Sequence, residues 1–312
     1  MKVLITGSTG FVGKYIVNRL LEEGYEVASA VRNTKKLQRL YGNSVKGYKV
    51  DFESEESLKE AFGDFRPDFV VHLIGILYEE RSKGVTFHKV HHVYSKNLYE
   101  VAKGFDIKKV VHMSALGTDR SSPSSYHKTK YMGEKELINS GINYTIFRPS
   151  IILGPEQRLF YDMWKITKYI PIVALPNFGG YKFQPVDVRD VACCFVKALS
   201  NQETDKKTYE VCGSKKVSFK ELLEDIFFLF GKRVFLLPVP KFIMYVGGIL
   251  MERILEPPLF SSDQILMMWR ENVCGLSSHV HSKGVESVCG KEPIGYEESL
   301  RWSIEEFLKK VK

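Results

Sequence analysis

Two spacings of apolar residues divide the chain. Short β-branched runs at 2–6, 25–31, 45–50, 69–74, 109–113 and 144–147 end in glycine, proline or polar residues and read as strands. Between them, apolar residues recur three and four apart, as Val12, Ile16, Val17, Leu20 and Leu21 do ahead of Gly24, which predicts helices. Further helices are expected at 35–41, at 54–62 with Ser54 as N-cap, at 85–103 and at 125–140. Strands alternating with helices need crossover connections, so the expected fold class is α/β, a doubly wound parallel sheet over residues 1–150.

From Ile151 the rhythm changes. Prolines accumulate at 155, 171, 176, 185, 238, 240, 257, 258 and 293, and helical patterns dominate at 188–199, 218–230, 242–255, 263–269 and 296–310. The expectation for 151–312 is a smaller, mostly α-helical part, with 181–186 crossing back to add one strand to the sheet.

Composition narrows the class. A length of 312 residues fits about two domains, and 44% hydrophobic with 26% charged residues describes a folded globular chain, not a disordered one. The net charge of +8 is spread through pairs such as Lys59-Glu60 and Lys135-Glu136, the pattern of a solvated surface; no nucleic-acid partner is expected, although an anionic ligand would be welcome. Five cysteines, an odd number without a C-x-x-C pair, suggest reduced thiols and no zinc site. The start MKVLITG runs directly into a strand without the features of a secretory signal, so a cytoplasmic protein is expected.

Chemistry first enters in the loop Thr6-Gly7-Ser8-Thr9-Gly10-Phe11-Val12-Gly13. Between a buried strand and a helix, Gly-x-x-Gly-x-x-Gly lets the backbone turn sharply and approach a phosphate closely, while the helix start presents free N–H groups. Asp51-Phe52, closing the third strand, supplies an acceptor for an adenine amino group and an aromatic wall. The second strand ends in Val31-Arg32, with Lys35 and Lys36 nearby, where an NAD-preferring protein wants an acidic residue for the ribose 2′-hydroxyl. Arg32 can fork onto a 2′-phosphate instead, so NADP(H) is favoured over NAD(H).

Tyr126-His127-Lys128-Thr129-Lys130 holds a Tyr-x-x-x-Lys pair, which a helix places on one face. A neighbouring ammonium lowers a phenol's pKa and readies it for proton exchange during hydride transfer, with Ser114 at the end of strand five able to hold the substrate oxygen. His88, His91 and His92 have a spacing that suits a metal, but no carboxylate or further ligand accompanies them, so they read as a titratable helix face, and His72 and His112 read as packing.

Together these features resemble the short-chain dehydrogenase/reductase superfamily, in its extended or atypical branch related to the NAD(P)-dependent epimerases and dehydratases. The carriers are Thr6 to Gly13, Asp51-Phe52, Gly75, Ser114, Tyr126 with Lys130, Arg148-Pro149-Ser150 with Gly154-Pro155, and the run Pro185 to Ala192, covering about residues 1–225. Within the branch, Leu73-Ile74-Gly75, Ser114-Ala115-Leu116-Gly117 and Phe147-Arg148-Pro149-Ser150 look most like the group formed by the nucleotide-binding accessory subunit of respiratory complex I and its bacterial relatives. The resemblance implies a Rossmann-type domain. It places Gly7, Gly10, Phe11 and Val12 on the pyrophosphate, with Thr9 in the same loop. Gly75, with Leu73 close by in the chain, lies toward the nicotinamide-side ribose, which Lys130 also holds, and Pro149 flanks the nicotinamide. Two departures stand out. Ala115 follows Ser114 where the family often has a second, catalytic serine, and a common asparagine falls on His92, with Asn97 matching a later position.

The stretch 227–259 is rich in Phe, Leu, Ile and Met but shorter in apolar run than the about 20 residues that span a bilayer, so it is expected to form core or to meet a protein complex or membrane surface. The first expectation for function is an NADP(H)-dependent oxidoreductase in which Tyr126 is the acid/base, Lys130 its tuner and Ser114 an orienting donor, acting on an unidentified small molecule. The alternatives are a non-catalytic dinucleotide-binding accessory or sensor subunit, and a nucleotide-sugar epimerase or dehydratase with Arg158 and Arg189 as candidate phosphate ligands.

Overall fold

A computed structural model describes residues 1–277 and 280–311. The first 150 residues run β1 (Lys2–Thr6), α1 (Phe11–Glu22), β2 (Glu26–Val31), α2 (Thr34–Tyr41), β3 (Lys46–Lys49), α3 (Glu55–Phe65) and β4 (Phe69–His72). There follow α4, which opens with a π-helical turn (His88–Val93) and continues as α-helix (Tyr94–Ala102), then β5 (Lys109–Met113), α5 (Ser125–Asn139) and β6 (Tyr144–Pro149).

All six strands lie parallel in one sheet, ordered β3-β2-β1-β4-β5-β6, with Leu4 between Ala28 and Val70. The strand order reverses between β1 and β4, and open α/β sheets form their ligand crevice at the carboxyl ends beside such a switch. The sheet has a core on each face. One gathers Ile5, Ile16, Leu20 and Val71 under α1; the other gathers Leu4, Phe62, Leu98 and Leu137 beneath α3, α4 and α5. This is a Rossmann-type α/β fold.

Beyond β6 the chain forms β7 (Ile152–Leu153), α6 (Arg158–Ile166), β8 (Ile172–Pro176), β9 (Lys182–Phe183), β10 (Val186–Asp187), α7 (Val188–Ser200) and β11 (Lys207–Val211). It continues through β12 (Val217–Ser218), α8 (Phe219–Phe230), β13 (Phe235–Val239), α9 (Lys241–Ile254), α10 (Ser262–Met267), α11 (Gly284–Cys289) and α12 (Tyr296–Val311). This part is mostly helical and has its own core of Phe160, Leu222, Ile226, Leu300 and Phe307. Ser218 caps α8 in a reciprocal box with Glu221.

The structure corrects two expectations. The seventh strand of the sheet is β11, paired in parallel with β6, and not the segment 181–186, which is split between a short antiparallel pair with β12 and a short parallel pair with β7. Proline 185 interrupts that segment, whereas Lys207–Val211 alternates freely and buries Tyr209 and Val211. The cysteines are not all reduced: Cys212 is joined to Cys274, while Cys193 is brought beside Cys289 and Cys194 is free and buried. Parity and local spacing do not reveal these pairings because the partners meet only through tertiary structure, 62 and 96 residues apart in sequence. Among the described residues no helix is long and apolar enough to cross a membrane.

Candidate functional site

The glycine loop occupies the turn between β1 and α1. Gly7 sits at φ +76°, a left-handed conformation that side chains resist, and a Cβ there would also crowd Leu73 at 3.1 Å. Gly13 closes the turn from the other side, since a Cβ would fall 2.3 Å from the Gly7 carbonyl oxygen. The Gly10 N–H donates to Gly7 O at 3.0 Å, and Tyr41 Oη donates to Ser8 O at 2.8 Å, so the loop is pinned to α2. Ser8 and Ser29 share a buried hydroxyl–hydroxyl bond. The first turn of α1 contains no acidic residue, leaving its N–H groups and helix dipole open to an anion. Gly154 packs on the Phe11 ring, where a Cβ would approach to 2.6 Å. The expected residues Gly7, Thr9, Gly10, Phe11 and Val12 therefore lie in one turn, and its shape and polarity fit a diphosphate.

On the β2–β3 side of the switch, Arg32 at the end of β2 is exposed and has no ion-pair partner among the described residues. Asp51 is also exposed; its Oδ1 accepts from Glu53 N at 2.9 Å, and its neighbour Phe52 is buried against Tyr94 at 5.6 Å between ring centroids. Asn97 holds this turn, its Nδ2 donating to Phe52 O at 2.9 Å.

At the other side of the switch stand Gly75, Lys130 and the histidines. Lys130 is buried and donates to the Met113 carbonyl at 3.0 Å; a Cβ on Gly75 would lie 3.0 Å from its Nζ. Burial lowers its pKa to about 8, opposed by Glu134 one turn further along α5. Glu134 is itself locked under α5 by a buried two-pronged pair with Arg148. Around the ammonium lie three histidines held neutral chiefly by burial, with Lys130's charge next for His72 and His91 and His72 next for His112: His72 falls to about 3, and His91 and His112 lie well below the usual histidine range.

The hydrogen bonds fix two of the tautomers. His91 Nε2 accepts from the Ile76 N–H at 3.0 Å, so Nδ1 carries the proton and donates to Thr129 Oγ1 at 3.0 Å. Ser95 donates to His91 O at 2.8 Å, so it accepts from His72 Nε2 at 3.0 Å, leaving His72 Nδ1 to accept from Thr6 Oγ1 at 2.7 Å. His91 thus ties the strand-four loop to the Tyr-x-x-x-Lys helix. His72 is packed in the core as expected, whereas His91, expected on a titratable helix face, is rotated inward by a π-turn that no periodic pattern announces. His92 faces outward, with Nε2 bonded to Glu136 at 2.9 Å.

Tyr126 departs from expectation. It is 8% exposed, and burial together with Asp263 pushes its phenol pKa upward, not downward. Lys130 points to the Met113 carbonyl, while the Tyr126 ring stands edge-on to Phe87 and His91 at 5.8 and 5.2 Å. Ser114 is buried and pairs with Thr118 at 3.2 Å, and Leu116 N donates to Pro149 O at 2.9 Å, joining the ends of β5 and β6. A residue the sequence reading missed, Asn272, crosses this edge: Ser150 Oγ donates to its Oδ1 at 2.6 Å, and its Nδ2 donates to Leu116 O at 3.3 Å. Arg158 and Arg189 are engaged, with Asp162 and Tyr78, and with Asp187 and the Trp302 ring.

A model of the NAD dependent epimerase/dehydratase family matches residues 3–212. The chain belongs to this family. As a member of an NAD(P)-binding family, it is 33% identical over 227 residues to the mitochondrial NADH dehydrogenase [ubiquinone] 1 alpha subcomplex subunit 9 of Arabidopsis thaliana, a match covering 70% of this chain and 56% of that protein. Against the subunit of the same name from Dictyostelium discoideum it is 28% identical, over 84% of this chain and 73% of that one. This family member therefore spans little more than half the length of the first relative. Its fold is that of the Thermus thermophilus UDP-glucose 4-epimerase solved with NAD, with TM-score 0.73, 21% identity and 99% of each chain covered.

Proposed function

We propose that this chain binds NADP(H) along the carboxyl edge of its sheet and serves as a nucleotide-binding accessory subunit of a membrane-associated protein complex. The observation that carries the binding half is the pairing of a glycine turn fit for a diphosphate with a buried Lys130 beside Gly75, on opposite sides of the strand-order switch. Arg32, exposed at the end of β2 without a partner among the described residues, supports the choice of the 2′-phosphorylated nucleotide.

Three observations support an accessory role. Burial and Asp263 make the Tyr126 phenol a weaker acid than an ordinary tyrosine, Ala115 stands where the resembled family often has a serine, and two relatives are named as subunits of NADH dehydrogenase. The partner surface in this reading is the apolar stretch 227–259, where Phe228, Phe242, Ile243, Val246, Leu250 and Ile254 are exposed. A second reading rests on Tyr126 and Lys130 sharing one face of α5: an oxidoreductase in which Tyr126 would donate a proton to a substrate carbonyl and a bound reduced nicotinamide would supply the hydride. Titration with NADPH and NADH tests the binding. The fate of bound NADPH with aldehydes and quinones separates the readings, because persistent reduced nucleotide belongs to the accessory role and stoichiometric oxidation to the enzyme.

A further inference from the structure

Helices α9 and α10 form an arm that touches both walls of the cleft. They pack closely at Gly248, where a Cβ would lie 2.5 Å from the Ser262 backbone nitrogen, and Glu252 on α9 accepts from Ser262 N at 2.7 Å. Just beyond α9, Glu256 accepts from the backbone N–H of Ser82 at 3.0 Å, in the loop that follows β4.

The opposite anchor is Asp263. Its Oδ2 accepts from Ser124 Oγ at 2.7 Å and Tyr126 N at 3.1 Å, and its Oδ1 accepts from Ser125 N at 2.6 Å. Two backbone donors that a helix leaves open at its start, and the N-cap hydroxyl itself, therefore end on a carboxylate supplied by another helix, 137 or more residues away in sequence. Those donors belong to the turn that carries Tyr126.

We propose that Asp263 is a positioning residue for the nucleotide site: by fixing the first turn of α5 it sets where the Tyr126 ring stands, and it makes the α9–α10 arm part of that site. The proposal rests on the reading that α5 borders a bound dinucleotide. The polar and charged groups around Tyr126 are His91 from the π-turn, His127 and Lys130 on α5 itself, and Asp263 from α10. Burial holds His91 and His127 neutral and Lys130 is turned to Met113, so Asp263 is the group that both bonds the tyrosine's backbone and, with burial, pushes its phenol pKa upward. The same geometry gives the exposed face of α9 a route to the cleft, through Glu252, Ser262 and Asp263.

The test is a double-mutant cycle on NADPH binding with Asp263→Asn and Tyr126→Phe, joined to ¹³Cζ-tyrosine spectra of the nucleotide-free protein in which the Tyr126 resonance is assigned by its loss in Tyr126→Phe. Asp263→Asn is expected to raise the NADPH Kd roughly three- to tenfold, with the double variant no weaker than Asp263→Asn alone, since one residue acts through the other. It is also expected to move the Tyr126 resonance. Ser124→Ala, which keeps the carboxylate and removes one of its three donors, should show a smaller change in the same direction and covers the case in which Asp263→Asn does not fold. Multiplicative effects in the cycle, or an unmoved Tyr126 resonance, would overturn the proposal. Absence of NADPH binding by the wild-type chain would count against the proposed function alone, because the resonance is read without nucleotide.

Discussion

Lys130 shows how a single residue can be read half correctly from sequence. The helical spacing from Tyr126 puts it on one face of α5 with the tyrosine, and the structure sets its ammonium beside Gly75. What the spacing could not show is that the ammonium is buried, aimed at Met113 O and ringed by neutral histidines. Its fall from the ordinary lysine value to about 8 corresponds to an unfavourable contribution on the order of 3 kcal/mol below pH 8. Replacing it as Lys130→Met should therefore stabilise the protein at pH 7, by about 1–2 kcal/mol once the lost bond to Met113 is counted, while weakening nucleotide binding. The sign with pH is fixed. Between pH 8 and 10.5 the unfolded chain keeps a proton that the folded chain has lost, so wild-type stability rises relative to Lys130→Met across that window. Denaturant unfolding of both proteins at several pH values measures this, and a gap that does not narrow would show that Lys130 is not buried as described.

At the scale of elements, the alternating strands and helices of the first 150 residues were legible because central strands such as β1 and β4 are continuous apolar runs and helices such as α1 carry a 3.6-residue stripe. Legibility failed where tertiary contacts decide. The strand completing the sheet, Lys207–Val211, is no more apolar than the segment 181–186 that was expected there; the absence of a proline like Pro185 and its pairing along the edge of β6 distinguish it. Beside it, the Cys212–Cys274 bond staples the end of β11 to the segment that carries Asn272 across the cleft edge. Closing a loop of 62 residues is worth about 2–4 kcal/mol. Cys212→Ser should lower Tm by several degrees and leave Cys274 reactive toward thiol reagents, and an unchanged Tm in reducing and non-reducing buffer would show that the staple contributes nothing.

For the whole molecule, the mostly helical second part does two things at once. It completes the cleft through Asn272 and Asp263, and it exposes an apolar stripe on α9, where Phe242, Val246, Leu250 and Ile254 recur four apart and face solvent. Composition revealed that this stretch is apolar, but not that its buried side is narrow and its exposed side broad. If the chain sediments with membranes, as the proposed accessory role requires, Phe242→Glu combined with Leu250→Glu is expected to move it to the supernatant with no more than about a twofold change in NADPH Kd, since neither side chain is placed against the proposed nucleotide site. Retention of the double variant on membranes would assign the attachment to another surface. The central claim, that a phosphorylated dinucleotide lies between the glycine turn and Lys130, is tested most directly by titrating the purified chain with NADPH and NADH, beside Arg32→Ala. The account predicts saturable, equimolar binding of NADPH roughly tenfold or more tighter than NADH, with most of that preference lost in Arg32→Ala. Equal affinities would contradict the role given to Arg32, and no saturable binding of either nucleotide would contradict the account as a whole.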